Sequence, residues 1–238
     1  MTNGTVNLWN VILIMSGMIA FFMGAGFASG QEVLQFFVTY GSQFTIALAA
    51  MAFILLWTSI SYAKAGYENK FESVKEVYYF YGGKYVGAFF DFFIAIYCYG
   101  GFFYMAAAAA TVTSATFGVH KIVGVAVLGI LVVLTVIFGF EALAKVMAYS
   151  GIINIVMILV VTIYTLATNW QHIPDGIRLA ASGLSGVERG GFTGIPMLEG
   201  PAYMGGTILW YAVFLSEFGA RRPRPDTKIG VVVGSAPI

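Results

Sequence analysis

Residues 23–32 read Met23-Gly24-Ala25-Gly26-Phe27-Ala28-Ser29-Gly30-Gln31-Glu32, and they lie in the middle of an otherwise apolar run over residues 8–38. An unbroken helix over that run would be ~45 Å long at ~1.5 Å per residue, whereas the hydrocarbon core of a bilayer is ~30 Å thick. Each glycine inside a helix costs about 1 kcal/mol relative to alanine, and three of them fall within residues 24–30. The composition therefore predicts a membrane helix that is broken near its middle.

The glycines of this stretch allow two interpretations. Non-helical backbone at membrane depth persists only where it is buried in protein or lines a wet cavity, so a break predicts a ligand or ion site. The residues from Gly26 to Gly30 also fit the small-xxx-small pattern, which lets two membrane helices pack closely and needs no further function. The adjoining Gln31 and Glu32 favour a site, because an ionisable side chain inside a span is a functional candidate by default.

The composition of the chain is that of an integral membrane protein. Its 238 residues are 59% hydrophobic and only 10% charged, whereas soluble domains carry about 25% charged residues. The net charge of +1 argues against nucleic-acid binding. The chain has a single cysteine, Cys98, so we expect no internal disulfide. Its two histidines, His120 and His172, are isolated in the sequence, so we expect no metal site. No nucleotide-binding or hydrolase motif is present, so we do not expect an enzyme.

Apolar runs predict six membrane spans. They cover residues 8–38, 44–62, 86–113, 122–140, 146–167 and 203–218. A charged segment over residues 64–84 is predicted to form a short solvated helix that closes at Gly82 and Gly83. The Gly- and Pro-rich segment over residues 169–201 is a loop of about 30 residues, long enough to carry a short surface helix near residues 176–184. The apolar run over residues 229–233 is too short to cross a bilayer.

The distribution of basic residues predicts the orientation. If the N-terminus is cytoplasmic, the inside loops carry nine Lys and Arg residues and the outside loops carry three. This bias is the positive-inside pattern, so we expect a multi-pass protein of the inner cell membrane with a cytoplasmic N-terminus.

The stretch Gly24-Ala25-Gly26-Phe27-Ala28-Ser29-Gly30-Gln31-Glu32-Val33-Leu34-Gln35-Phe36-Phe37 resembles the opening of the YkvI-type bacterial membrane proteins. That family is placed near the amino acid/polyamine/organocation transporters, whose architecture is similar to that of LeuT. The resemblance implies an all-α integral membrane fold. Its parts would be a five-helix repeat with a broken first helix over residues 1–168, an external loop over residues 169–202, and a sixth helix with the start of a seventh over residues 203–238.

Two departures from the family pattern concern the second half of the chain. The resemblance implies a break in the sixth helix, but Gly205 and Gly206 precede an unbroken apolar run over residues 207–215. The chain also ends where a seventh helix would begin. We therefore expect a sequence that is truncated at its C-terminus.

The resemblance implies a secondary transporter, or permease, of amino acids or related small organic solutes that works by cation-coupled alternating access. The candidate solute-binding residues of the break are Gly24, Ala25, Gly26, Ser29 and Gly30, since amides at the start of the second half-helix would face a solute carboxylate. By analogy with LeuT-like proteins, Tyr99 and Tyr104 of the third span would reach the solute, although aromatic residues in a membrane helix also serve packing.

Glu32 and Gln31 are the candidates for ion or proton coupling, with Na⁺ or H⁺ as the coupling cation and no other cofactor. A carboxylate at residue 32 is equally consistent with a structural role. The expected partners are a small-molecule solute and the lipid bilayer. The alternatives are a non-transporting packing subunit or half-transporter fragment and, with less support, an intramembrane enzyme that uses Glu32 and Asp91.

Overall fold

The described part of the chain folds into α-helices and two 3₁₀ turns. The computed structural model describes residues 6–24, 30–182 and 194–235, and within those ranges it contains no strand. The helices are α1 (Leu8–Phe22), α2 (Gln31–Phe36), α3 (Phe44–Asn69), α4 (Val74–Phe117), α5 (Lys121–Ile137), α6 (Phe140–Asn169), α7 (Ile173–Ser182), α8 (Pro196–Gly205), α9 (Ile208–Arg221) and α10 (Arg224–Ser235), with 3₁₀ turns at Val38–Gln43 and Trp170–His172. The predicted all-α class is confirmed.

Three helical segments among the described residues are long and apolar enough to cross a membrane. They are α3, α4 and the segment Glu141–Leu179, which contains most of α6, while α1 and α5 are shorter apolar helices. Large apolar side chains point outward along these helices, as Phe92, Ile137 and Tyr164 show with exposures of 70%, 71% and 69%. Soluble proteins rarely expose contiguous apolar surface on this scale. The chain is therefore a membrane-embedded protein.

Two compact units make up the chain, and the second of them is a helical hairpin. The first unit comprises Met1–Lys70 and Ala148–Ile238, and the second comprises Phe71–Met147. In the second unit α4 ends at Gly118, whose φ of +67° suits the left-handed residue that closes many helices. Gly124 of α5 faces α4, where a Cβ would lie 2.7 Å from the Ala109 carbonyl oxygen. Gly83 interrupts α4 with a φ of +62°, so a short helix from Val74 precedes the third span. The predicted start of this helix at residue 64 was wrong, because residues 64–69 belong to α3.

Helix α3 is central to the first unit, where it contacts α8, α9 and α10. It meets α9 at two glycines. A Cβ on Gly66 would overlap the Ser216 backbone, and one on Gly219 would overlap the Ala63 carbonyl oxygen. It meets α8 at Gly200, where a Cβ would overlap the carbonyl oxygen of Ala47. Small residues let membrane helices approach to backbone contact, so these glycines set the helix spacing.

Helices α1 and α10 are joined by a buried polar cluster. The Asp226 carboxylate, 1% exposed, accepts a hydrogen bond from the Asn7 backbone N–H at 3.0 Å and another from Asn10 Nδ2 at 2.7 Å. Arg222 Nη1 donates to Asn10 Oδ1 at 3.2 Å. Each polar group in this cluster therefore has a partner, as buried polar groups require.

The sixth span differs from the single helix expected over residues 203–218. Helix α8 begins earlier, at Pro196, and ends at Gly205, while α9 begins at Ile208. Proline is favoured at the first position of a helix because the missing N–H is not needed there. The glycine pair at Gly205 and Gly206 lowers helix stability, and the Thr207 N–H bonds the Met204 carbonyl in a tight turn at 3.0 Å. The span is consequently interrupted at this glycine pair, whereas the sequence predicted one continuous helix.

Candidate functional site

The first span is interrupted at the predicted place. Helix α1 ends at Phe22, and Met23 leaves the helical region with φ −87° and ψ 74°. The Gly24 N–H then donates to the Phe22 carbonyl at 3.1 Å, and α2 begins at Gln31. The predicted site residues Ala25, Gly26 and Ser29 lie outside the described residues.

Gly30 is a glycine because of its backbone conformation. It precedes α2 with a φ of +76°, a left-handed geometry that costs other L-residues about 1–2 kcal/mol. A Cβ built on Gly30 meets no described atom within 4 Å. Close packing against another described helix therefore does not explain this glycine. The left-handed conformation that leads into α2 does.

Glu32 of α2 is bonded to Tyr203 of α8. The Tyr203 hydroxyl donates to Glu32 Oε2 at 2.9 Å, and the Tyr203 ring packs on Phe36 and Phe37 with centroid distances of 5.2 and 5.8 Å. A hydrogen bond to an ionised carboxylate is about twice as strong as a neutral one. The bond joins the two interrupted spans, since α2 follows the first break and α8 precedes the second.

A cavity of about 460 Å³ lies beside the first break; we call it the break cavity. Its wall is formed by the end of α1, by α2 and the following 3₁₀ turn, by α3, by α6 and by Tyr203, and it includes Phe22, Met23, Val33, Leu48 and Ile158. Apart from Tyr203 every lining side chain is apolar. Ligand pockets commonly enclose about 300–1,000 Å³ and combine apolar walls with a few polar groups. The break cavity has these properties.

Comparison of the chain with family models, curated proteins and solved structures found no match. The resemblance to YkvI-type proteins and to the LeuT architecture therefore stays a prediction. The chemical properties of the site are therefore inferred from its own residues.

Two negative electrostatic features adjoin the break cavity: the C-terminal end of α1 and the Glu32 carboxylate. Ile19, Phe22 and Met23 bring the C-terminal end of α1 to its wall, and the last carbonyls of a helix lack intrahelical partners and carry the negative end of its dipole. The Glu32 carboxylate is bonded to the lining residue Tyr203, and the lining includes no Lys, Arg or His. This arrangement is suited to a cation or an ammonium group.

The remaining predicted site residues belong to the second unit or are described in part. Gln31 begins α2, but its side chain is outside the described part of the chain. Tyr99 and Tyr104 lie on α4 in the second unit, and both side chains are exposed. The Tyr99 ring packs edge-on against Phe103 at 4.7 Å. Their contact with a solute stays a prediction, as does any role of Asp91 on the same helix.

Glu199 is a buried carboxylate that the sequence analysis did not single out. It lies in the first turn of α8 and is fully buried. Its Oε1 accepts the Gly194 N–H at 2.9 Å, so it closes the turn before the helix. The Pro196 helix start three residues earlier was the sequence signal that could have located it.

No group of three or more His, Cys, Asp and Glu residues lies close enough to hold a metal ion in the described ranges.

Tyr203 was missed as a site residue because its partner is 171 positions away. The signal that could have indicated it is the pair Gly205-Gly206, which marks a second break two residues later.

Proposed function

We propose that the chain is a secondary transporter with a LeuT-like broken-helix core. It would lie in the inner cell membrane with its N-terminus in the cytoplasm and move amino acids or related small organic solutes by cation-coupled alternating access. One observation carries the proposal: the break between α1 and α2 adjoins an apolar cavity, and an ionisable residue, Glu32, is hydrogen-bonded to the cavity wall through Tyr203.

The Glu32 carboxylate supplies the coupling step in this proposal. An ionisable group inside a membrane protein is costly and marks ion or proton pathways. When Glu32 is ionised, its bond from Tyr203 is charge-assisted and holds α2 against α8. Protonation of the carboxylate, or a Na⁺ ion that competes with the hydroxyl, weakens that bond. Cation binding and the position of α2 are thereby linked, as alternating access requires.

The test is uptake by the purified full chain in liposomes. A mixture of radiolabelled amino acids is offered with an inward Na⁺ gradient, with an inward proton gradient, and with neither. We expect saturable uptake that one of the gradients accelerates. Glu32→Gln should abolish the acceleration, because the amide neither titrates nor carries a charge. Tyr203→Phe should lower uptake about tenfold, the equivalent of losing ~1.4 kcal/mol.

The matched control is Tyr149→Phe. Tyr149 is an exposed tyrosine of α6 in the first unit, in ring contact with Trp9 at 6.1 Å, and it does not line the break cavity. Its loss of a hydroxyl should leave uptake unchanged. If no amino acid is taken up under any gradient while the protein remains folded in the liposomes, the transporter proposal fails and the packing-subunit alternative gains support.

A further inference from the structure

We propose that the solute of the break cavity is a primary amine with a bulky apolar group, and that a carboxylate on the solute is not needed for recognition. The inference rests on the proposed function, because it names the solute class of the same site. It requires the cavity to accept the apolar group and the Glu32 carboxylate to accept the ammonium group.

The walls of the break cavity select an apolar group. The cavity encloses about 460 Å³, and the side chains of Leu48, Met51, Ile155 and Ile158 on α3 and α6 are among those that line it. Burying apolar surface against such walls is favourable by about 25 cal/mol per Å². A solute that has only polar groups would lose its hydration there without gaining partners. The cavity therefore favours a branched or aromatic substituent.

The charges around the cavity select an ammonium group over a carboxylate. Tyr203 bonds one oxygen of Glu32, and no second partner of this carboxylate is found among the described residues, so the other oxygen can accept from an ammonium N–H. The carboxylate is one hydrogen bond away from Tyr203, which lines the cavity. The C-terminal end of α1 adds negative potential. Among the lining residues no cationic side chain offers a carboxylate a partner.

Four radiolabelled compounds separate these requirements. Leucine has the amine, the carboxylate and a branched apolar group; isoamylamine lacks the carboxylate; isocaproate lacks the amine; and glycine lacks the apolar group. Equilibrium binding to the purified full chain in detergent is measured for each. We expect leucine and isoamylamine to bind with similar affinity, and isocaproate and glycine to bind about a hundredfold more weakly, a difference of ~2.7 kcal/mol.

Each other outcome contradicts a defined part of the reasoning. If isocaproate binds and isoamylamine does not, the ammonium assignment is wrong although the site stands. If glycine binds as tightly as leucine, the apolar requirement is wrong. If none of the four binds while the uptake assay gives transport of other amino acids, this inference fails and the proposed function survives. If uptake is also absent, both fail.

Two leucines of α3 provide a matched pair of variants. Leu48 and Leu56 are 39% and 37% exposed, but only Leu48 lines the break cavity among the described residues. Leu48→Trp fills part of the cavity and should weaken isoamylamine binding about tenfold or more, whereas Leu56→Trp should leave it unchanged. Equal binding by both variants would show that the amine binds elsewhere. Glu32→Gln should weaken isoamylamine more than it weakens isocaproate.

Discussion

Replacing Gly219 with alanine should force α3 and α9 apart and destabilise the first unit. A Cβ on Gly219 would overlap the Ala63 carbonyl oxygen and would lie 3.0 Å from the Tyr67 backbone nitrogen. These obstructing atoms belong to the backbone of α3 and cannot rotate away, so the two helices must shift. Overpacking costs about 1–3 kcal/mol, and a backbone obstacle places this case at the upper end. Alanine recovers about 1 kcal/mol of helix propensity, which leaves a net loss of ~2 kcal/mol.

The assay is thermal unfolding of the purified protein in detergent, followed by circular dichroism. At this chain length about 1 kcal/mol shifts the midpoint by about 2–4 °C, so Gly219→Ala should melt about 4–8 °C lower. The control is Gly205→Ala, because Gly205 is a helical glycine of the same unit with no described atom within 4 Å of its Cβ position. It should melt at the parent temperature or slightly above it. A Gly219→Ala protein as stable as the parent would refute the proposed backbone contact between α3 and α9.

Three further predictions concern single side chains of the first unit. Asp226→Ala leaves the buried Asn10 amide without its acceptor and should lower the free energy of unfolding by about 1–3 kcal/mol, measured by thermal melts. If the losses from Asp226→Ala and Asn10→Ala simply add in the double variant, the two side chains do not interact as the cluster requires. Tyr211→Phe removes the bond between the Tyr211 hydroxyl and Ser59 Oγ, 3.0 Å long and buried, and should cost about 1 kcal/mol. Adding Ser59→Ala should then cost little more. Gly30→Ala should destabilise the protein by about 1–2 kcal/mol, because alanine must adopt the left-handed conformation of Gly30. Gly30→Asn should cost less, because asparagine tolerates that conformation. Equal melting temperatures for the two variants would contradict this explanation of Gly30.

The sequence predicted the features of the fold that depend on local backbone energetics. The break after Phe22 follows from glycines that weaken a helix, and the interruption of α4 at Gly83 follows from the same cause. The start of α3 at Phe44 coincides with the predicted start of the second span. Of the six predicted spans, those over residues 44–62, 86–113 and 146–167 fall in segments of the described chain that are long and apolar enough to cross a membrane, because bilayer thickness sets the length required.

Contacts between distant residues could not be predicted in this way. Glu32 and Tyr203 are 171 positions apart, and Asn10 and Asp226 are 216 apart, so neither bond leaves a local pattern in the sequence. The glycines show the same limit. Gly30 allowed two interpretations, as part of a helix break or as a packing residue, and its positive φ supports the first. Gly219 drew no attention and lies at a helix contact. Spacing alone does not distinguish a conformational glycine from a packing glycine.

The position of α2 depends on the contacts that α8 provides. Helix α2 has six residues, far below the length of about 12–15 at which isolated helices become stable in water. Tyr203 holds it through the hydroxyl bond to Glu32 and through ring contacts with Phe36 and Phe37. The ring contacts do not depend on the charge of Glu32, whereas the hydroxyl bond does. In the proposed transport cycle this bond is therefore the contact through which a cation would shift α2 relative to α8. Because one bond carries this effect, Glu32→Gln combined with Tyr203→Phe should impair gradient-driven uptake no more than Glu32→Gln alone, and additive losses would mean that the two side chains act separately.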